Sequence, residues 1–170
     1  MIKINFLSDS DFEDYSEAIK EYESIWKADG EKIIRAWEET AGYRFKETFM
    51  NAIIYVKGGH SHPLTLKSGG TNNGKKTHLI HELGHRVLLA PRRISFKSKN
   101  IQPTSLENHK ILDLVLLDVL ESLYGKEFAD NAIKFDCEHI GGIYKEAWEF
   151  ALSFKTKEER QKKFKEMMRV

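Results

Sequence analysis

The sequence predicts an α+β fold in which a small sheet, mixed or antiparallel, precedes an amphipathic helix and a mainly helical C-terminal half. Segments with the alternation or the β-branched and aromatic residues typical of strands lie at 2–7, 51–56 and 60–66. Apolar residues recur at helical spacing from about residue 75 onward. Three glycines and two asparagines in 68–74 predict a loop between these two parts.

The N-terminal part is predicted to hold one strand and two helices. Ile2 to Leu7 alternates as a short strand does. Ser10 and Glu13 have the spacing of a capping box, which predicts a helix that ends near Trp26. A second helix is expected to begin near Gly30, where apolar residues again follow a helical spacing.

The middle of the chain is predicted to form a hairpin and then a helix. The turn Lys57-Gly58-Gly59 separates the strands 51–56 and 60–66, so we expect them to pair with each other. The helix is expected to run from about Lys75 to Leu89. Pro91 is expected to end it, because proline cannot donate a backbone hydrogen bond.

The C-terminal half is predicted to be helical after an irregular basic connection from Pro91 to Ser105. The expected helices are Leu106 to Tyr124 with Gly125 as its C-terminal cap, a short one around Phe128 to Ile133, and Tyr144 to Met168 after a break at Gly141-Gly142. There is no internal repeat and no boundary signal, so we expect a single domain over 1–170.

Charge and cysteine content bound the function classes. Lys and Arg number 27 against 26 Asp and Glu, so no overall field attracts nucleic acid or a membrane. The basic residues that crowd 155–169 are expected to be a solvated helix face, with a docking helix for an acidic partner as the alternative. Cys137 is the single cysteine, and the N-terminal residues lack the apolar core of a signal peptide. A cytoplasmic protein without a membrane span is expected, and the sequence does not determine its oligomeric state.

The stretch from Thr77 to Leu89 contains the pattern His-Glu-x-x-His at His81, Glu82 and His85. Residues four apart lie one turn apart on one helix face, so two imidazoles can converge on one ion at about 2.0–2.1 Å. Glu82 then flanks the ion without binding it. The sequence therefore predicts a zinc site on this helix.

The phase of the helix separates these residues from its apolar side. Leu79, Ile80, Leu83 and Val87 share one side, while the two histidines and the glutamate occupy another. This disfavours the alternative that the histidines are merely hydrogen-bonded members of the core.

His109 on the following apolar helix is the predicted third ligand, because a catalytic zinc needs three protein ligands and an open position. Asp113, four residues later, could accept the spare N–H of a zinc-bound imidazole and so orient it. Glu107, Asp113 and Asp118 are alternative third ligands. A His109–Asp113 hydrogen bond without any metal is the other interpretation.

These residues resemble the zincin superfamily of metallopeptidases, whose active helix carries the same His-Glu-x-x-His signature. In its gluzincin branch a second helix supplies a glutamate ligand and, four residues later, an aspartate. The stretch 108–113 is similar to that arrangement, with His109 in place of the glutamate and Asp113 in place of the aspartate. The metzincin extension is absent from 86–91. The resemblance covers about 13 residues firmly and 6 more weakly, and it implies a minimal zincin-like fold.

The resemblance implies peptide hydrolysis, with a peptide or protein substrate, Zn²⁺ as cofactor and Glu82 as general base. The strand 60–66 is then expected to align an extended substrate. A stabiliser of the oxyanion is expected among His60, His62, His78, Arg86, His139 and Tyr144. His78 lies about 10 Å of helix from His85, which is too far for it to share the ion.

Two other function classes stay open. The first is a zinc-containing regulatory or interaction protein that keeps the fold with little or no general proteolysis, and Glu82 discriminates it, since only a hydrolase needs that residue. The second is a factor that docks on a polyanion through the basic segment 92–99 or the C-terminal helix, with binding that falls steeply as salt rises. Binding to nucleic acid is the least favoured, because the basic residues are not interleaved with aromatic ones.

Overall fold

The computed structural model describes residues 2–10, 13–98 and 104–169, and its element order confirms the predicted α+β class. The elements are β1 (Lys3–Ser8), α1 (Ser16–Ala41), β2 (Phe49–Tyr55), β3 (His60–Ser61), β4 (Leu64–Lys67), α2 (Asn72–Ser98), α3 (Ser105–Tyr124), α4 (Lys126–Phe135), a π-helical turn (Asp136–Ile140), α5 (Gly142–Ser153) and α6 (Lys157–Met168). The backbone contacts divide the chain into two units, Met1–Val87 and Leu88–Val170. The prediction of a single domain stays a prediction.

The first unit contains a four-stranded mixed sheet with the strand order β1-β2-β4-β3. β2 pairs in parallel with β1 on one side and with β4 on the other, while β3 pairs antiparallel with β4. The predicted hairpin between 51–56 and 60–66 is therefore wrong. The chain turns instead between β3 and β4, so that β4 enters the sheet in the same direction as β2.

The side chain of Thr65 explains this arrangement. Its hydroxyl oxygen accepts the backbone N–H groups of Gly59 at 3.1 Å and His60 at 2.9 Å, which folds 57–61 back onto β4. Gly58 is required here, because a Cβ at this position would lie 2.2 Å from the carbonyl carbon of Leu66. The close approach of two backbones thus shapes the segment before α2.

A single helix, α1, replaces the two helices predicted for the N-terminal part. Gly30 does not interrupt it, because the ring of Trp26 lies against the space that a side chain would fill, with Cδ2 only 2.8 Å from an ideal Cβ. The predicted capping box at Ser10 and Glu13 is also wrong. Asp14 accepts the backbone N–H of Ser16 at the first residue of the helix.

Helix α2 begins three residues before the predicted start and continues through Pro91 to Ser98. The prediction that Pro91 ends the helix is wrong. The fixed φ of proline is compatible with helical backbone, and the helix loses only the hydrogen bond that the missing N–H would have donated. The predicted irregular connection is helical as far as Ser98, and Lys99 of the basic segment lies outside the described residues. Within the first unit, Trp37 donates its indole N–H to the carbonyl of Ile80 at 3.0 Å, directly before His81.

The core of the first unit confirms the apolar side predicted for α2. Leu79, Ile80 and Leu83 are fully buried. The other large members of this core come from the sheet and from α1: Ile54, Leu64, Leu66, Tyr22, Ile33 and Trp37.

The second unit is built around α3, whose residues from Ile111 to Leu120 are all buried. Thr104 caps the start by accepting the backbone N–H of Glu107 at 3.1 Å, and Gly125 ends the helix as predicted. The helix predicted over Tyr144 to Met168 is two helices, because Thr156 forms a capping box that starts α6. None of the helices in the described ranges combines the length and apolar character needed to cross a bilayer.

Candidate metal and catalytic site

His81 and His85 lie one turn apart on α2, as the sequence predicted, and both rings are buried. Their Nε2 atoms are 3.1 Å apart, and the ring planes are inclined by 73°. This distance is also that of a hydrogen bond between the two rings. Ligands at about 2.0–2.1 Å in a tetrahedral zinc site leave neighbouring nitrogens about 3.3 Å apart, so the pair has the spacing that zinc requires.

His109 on α3 is held in one tautomer by its own helix. Its Nδ1 lies 2.7 Å from the carbonyl oxygen of Ser105, one turn earlier. Because a carbonyl can only accept, Nδ1 carries the proton and Nε2 of the neutral ring keeps its lone pair for a ligand bond. Such a hydrogen bond on the non-ligating nitrogen is typical of metal-binding histidines.

The ligand atoms of His81, His85 and His109 all lie within 4.8 Å of one another, so these three residues could hold a metal ion. This donor set fits zinc, since three neutral imidazoles are a known set for a catalytic zinc ion that keeps a fourth position for water. Imidazole also binds other transition metals, so the donor set indicates a divalent transition metal and does not single out zinc.

Glu82 is buried beside these histidines, with 3% of its surface exposed. Its Oε1 atom lies 3.6 Å from Nε2 of His78, one turn earlier on α2. Nδ1 of His78 in turn accepts the backbone N–H of Lys67 at 3.3 Å. The carboxylate is thus held near the end of β4 on its own unit.

Asp113 is fully buried one turn after His109, and neither of its carboxylate oxygens has a hydrogen-bond partner among the described residues. Asp113 was predicted to accept the spare N–H of a ligand imidazole, but this hydrogen bond is not formed, and the carbonyl of Ser105 accepts the N–H of His109 instead. Burial raises the pKa of Asp113 well above its usual value, and the charge of Asp136 raises this pKa further. Asp136 itself accepts the indole N–H of Trp148 at 3.0 Å.

The other alternative ligands have partners elsewhere. Asp118 is buried in an ion pair with Arg160 from α6. Glu107 lies near Lys110, with 3.6 Å between carboxylate and ammonium, at the half-exposed start of α3. Neither is part of the three-histidine cluster.

Two of the six candidate oxyanion stabilisers contact a predicted site residue within their own unit. His78 faces Glu82, and the ring of Tyr144 lies 4.6 Å from that of His109. Arg86 donates hydrogen bonds to the carbonyl of Ser61 at 2.5 Å and to the carboxylate of Glu47 at 3.0 Å.

The three remaining candidates, His60, His62 and His139, are exposed. His62 bonds with the hydroxyl of Ser61, and His139 stacks on Phe135.

Sequence reasoning missed two features beside the predicted site residues His109 and Asp113 of α3. The carbonyl of Ser105 has no sequence signal, because every helical residue offers such a carbonyl. The π-helical turn that carries Asp136 could not be found either, since its residues continue the helical pattern of α4. Turns of this kind occur frequently at functional sites.

Comparison of the chain with protein-family models, with curated proteins and with solved structures gave no match in any of the three. The function therefore has to be argued from the site itself.

Proposed function

We propose that this protein is a zinc-dependent peptidase in which His81, His85 and His109 bind the ion and Glu82 is the general base. The observation that carries the proposal is the cluster of three imidazoles within 4.8 Å, together with a buried carboxylate adjacent in sequence to one of them. A structural zinc site would use four protein ligands, whereas the described residues supply three here.

A zinc ion in this cluster would polarise a substrate carbonyl and make a water molecule easier to deprotonate. Glu82 takes a proton from that water as the water oxygen attacks the carbonyl carbon of the peptide. The same carboxyl group then gives the proton to the amide nitrogen as the C–N bond breaks, which leaves a carboxylic acid and an amine. Burial of Glu82 supports this role, because a carboxylate shielded from bulk solvent exchanges protons mainly with the groups bound beside it.

The edge strand β3 limits how a substrate could align. It is the outermost strand of the sheet, which supports pairing with an extended peptide. It is only two residues long, and the carbonyl of Ser61 already accepts from Arg86. The N–H of His60 already donates to the hydroxyl of Thr65, so we infer a short alignment through the carbonyl of His60, which suits a small peptide or a flexible segment of a protein.

Metal analysis of the purified protein, beside hydrolysis of a peptide library, tests the proposal. We expect about one zinc ion per chain in the wild type and in Glu82→Gln. Turnover in Glu82→Gln should fall by a factor on the order of 10² to 10⁴, the usual contribution of a general base. Glu127→Gln, on an exposed position of α4, is the matched control and should keep both properties.

Two results would overturn the proposal in different ways. Unchanged cleavage by Glu82→Gln would remove Glu82 from the mechanism. Stoichiometric zinc without any hydrolysis by the wild type would leave a zinc-binding regulatory protein in place of a peptidase.

A further inference from the structure

Both ring nitrogens of His78 lie close to polar groups of the first unit, and one of them accepts a hydrogen bond. A backbone N–H can only donate, so Nδ1 of His78 accepts the 3.3 Å hydrogen bond from Lys67 and carries no proton. The proton of the neutral ring therefore lies on Nε2. This nitrogen is the atom that faces Oε1 of Glu82 at 3.6 Å.

The surroundings of the ring keep it in this orientation. An ideal Cβ on Gly59 would lie 3.6 Å from Nε2, so the turn before β3 borders the ring on that side. The side chains of His78 and Glu82 are 17% and 5% exposed, and little water competes for the contact. The glutamate is four residues after the histidine, so a straight stretch of α2 carries both.

We propose that His78 is a positioning residue that holds Oε1 of Glu82 through its Nε2–H, so that Oε2 is the oxygen that accepts the proton from water. This inference rests on the proposed role of Glu82 as general base. The contact at 3.6 Å is slightly longer than a hydrogen bond, and such contacts tighten when a catalytic complex forms. The backbone of Lys67 at the end of β4 supplies the second support, so the orientation of the base depends on the sheet.

A purely structural role for His78 would be to hold the end of β4 against α2. That role predicts a loss of stability without a specific loss of turnover. The positioning role predicts that kcat falls while KM stays, because only the orientation of the base in the transition state is lost.

Kinetics of two variants separate the roles. His78→Leu removes the donor, and we expect kcat to fall by a factor on the order of 10 or more, with KM and zinc content within twofold of the wild type. His78→Gln keeps a donor at the ε position, and we expect it to recover part of kcat. Lys134→Ala, at an exposed position of α4, is the control and should keep the kcat of the wild type. Wild-type kcat in His78→Leu would overturn the positioning role.

The ring nitrogens report on the contact without any substrate. Nitrogen-15 NMR of the metal-free protein should find His78 with its proton on Nε2, and Glu82→Gln should move the Nε2 resonance while Lys134→Ala leaves it in place. A proton on Nδ1, or no response to Glu82→Gln, would overturn the proposal. If the wild type hydrolyses no peptide, the proposed function fails, while the His78 spectrum still decides whether His78 holds Glu82.

Discussion

His109 donates its Nδ1–H to the carbonyl oxygen of Ser105 at 2.7 Å, so the helix that carries this histidine also fixes its tautomer. The orientation of this imidazole is then a property of α3 itself. Asp113, which the sequence placed in that role, lies one turn further along with both oxygens without hydrogen bonds among the described residues. We therefore expect substitutions of His109 and Asp113 to have different effects on metal binding.

Substitution of His109 should weaken zinc binding, whereas substitution of Asp113 should not. We expect His109→Ala to raise the dissociation constant for zinc by a factor on the order of 10 or more, because one of three protein ligands is lost. Asp113→Asn should stay within twofold of the wild type. Competition with a zinc chelator measures both constants.

An exposed histidine provides the control for that comparison. His139→Ala removes a ring that stacks on Phe135 outside the cluster, so its zinc affinity should equal that of the wild type. Equal affinities for wild type and His109→Ala would remove His109 from the site.

The sequence predicted the central part of α2 because its periodicity is local. His81, Glu82, His85 and the apolar side of α2 follow from spacing along one helix, and the structure has them where that spacing put them. The pairing of β4 with β2 and β3 could not be predicted from local periodicity. It depends on the hydroxyl of Thr65 and on the close approach at Gly58, which are contacts between segments.

Two predicted helix breaks show the same limit of prediction from local sequence. Pro91 and Gly30 are local signals for a break, and both lie inside helices in the structure. At Gly30 the deciding contact is the ring of Trp26, and packing of this kind outweighs a preference of about 1 kcal/mol for glycine to leave a helix.

The buried carboxyl of Asp113 should make the stability of the metal-free protein depend on pH. Its pKa is raised in the folded state above the ordinary value of 3.8 for an aspartate, so the folded protein binds the proton more tightly than the unfolded chain. The stability from this group is fully present below about pH 3.8 and is lost as pH rises through the raised pKa. Asp113→Asn should therefore gain stability relative to wild type as pH rises from 4 to 8. Urea unfolding at both pH values measures the difference, and a constant difference would contradict the assignment.

A side chain at position 58 should destabilise the fold, because the backbone of Gly58 lies close to that of Leu66. A Cβ would lie 2.2 Å from the carbonyl carbon of Leu66, so Gly58→Ala must displace β4 or the turn before β3, and we expect a loss of about 1–3 kcal/mol. Gly69→Ala is the matched control, because an added Cβ there meets no atom within 4 Å and should change stability by at most about 1 kcal/mol. Thermal and urea unfolding compare the two variants. Equal stability in both would mean that the two backbones are further apart than the structure has them.

The buried ion pair between Asp118 and Arg160 should make each single substitution more destabilising than the double substitution. Both side chains are almost fully buried, and Arg160 also donates to the carbonyl of Phe154 at 3.3 Å. Removal of one partner leaves a buried charge without its counterion, so Arg160→Met and Asp118→Leu should each cost about 3–5 kcal/mol. The double variant should be more stable than either single one, since no charge is left uncompensated. Urea unfolding of the four proteins forms a double-mutant cycle, and additive losses would show that the two charges do not interact. Asp118→Leu should have the same zinc affinity as the wild type, because this carboxylate belongs to the pair with Arg160 and lies outside the three-histidine cluster.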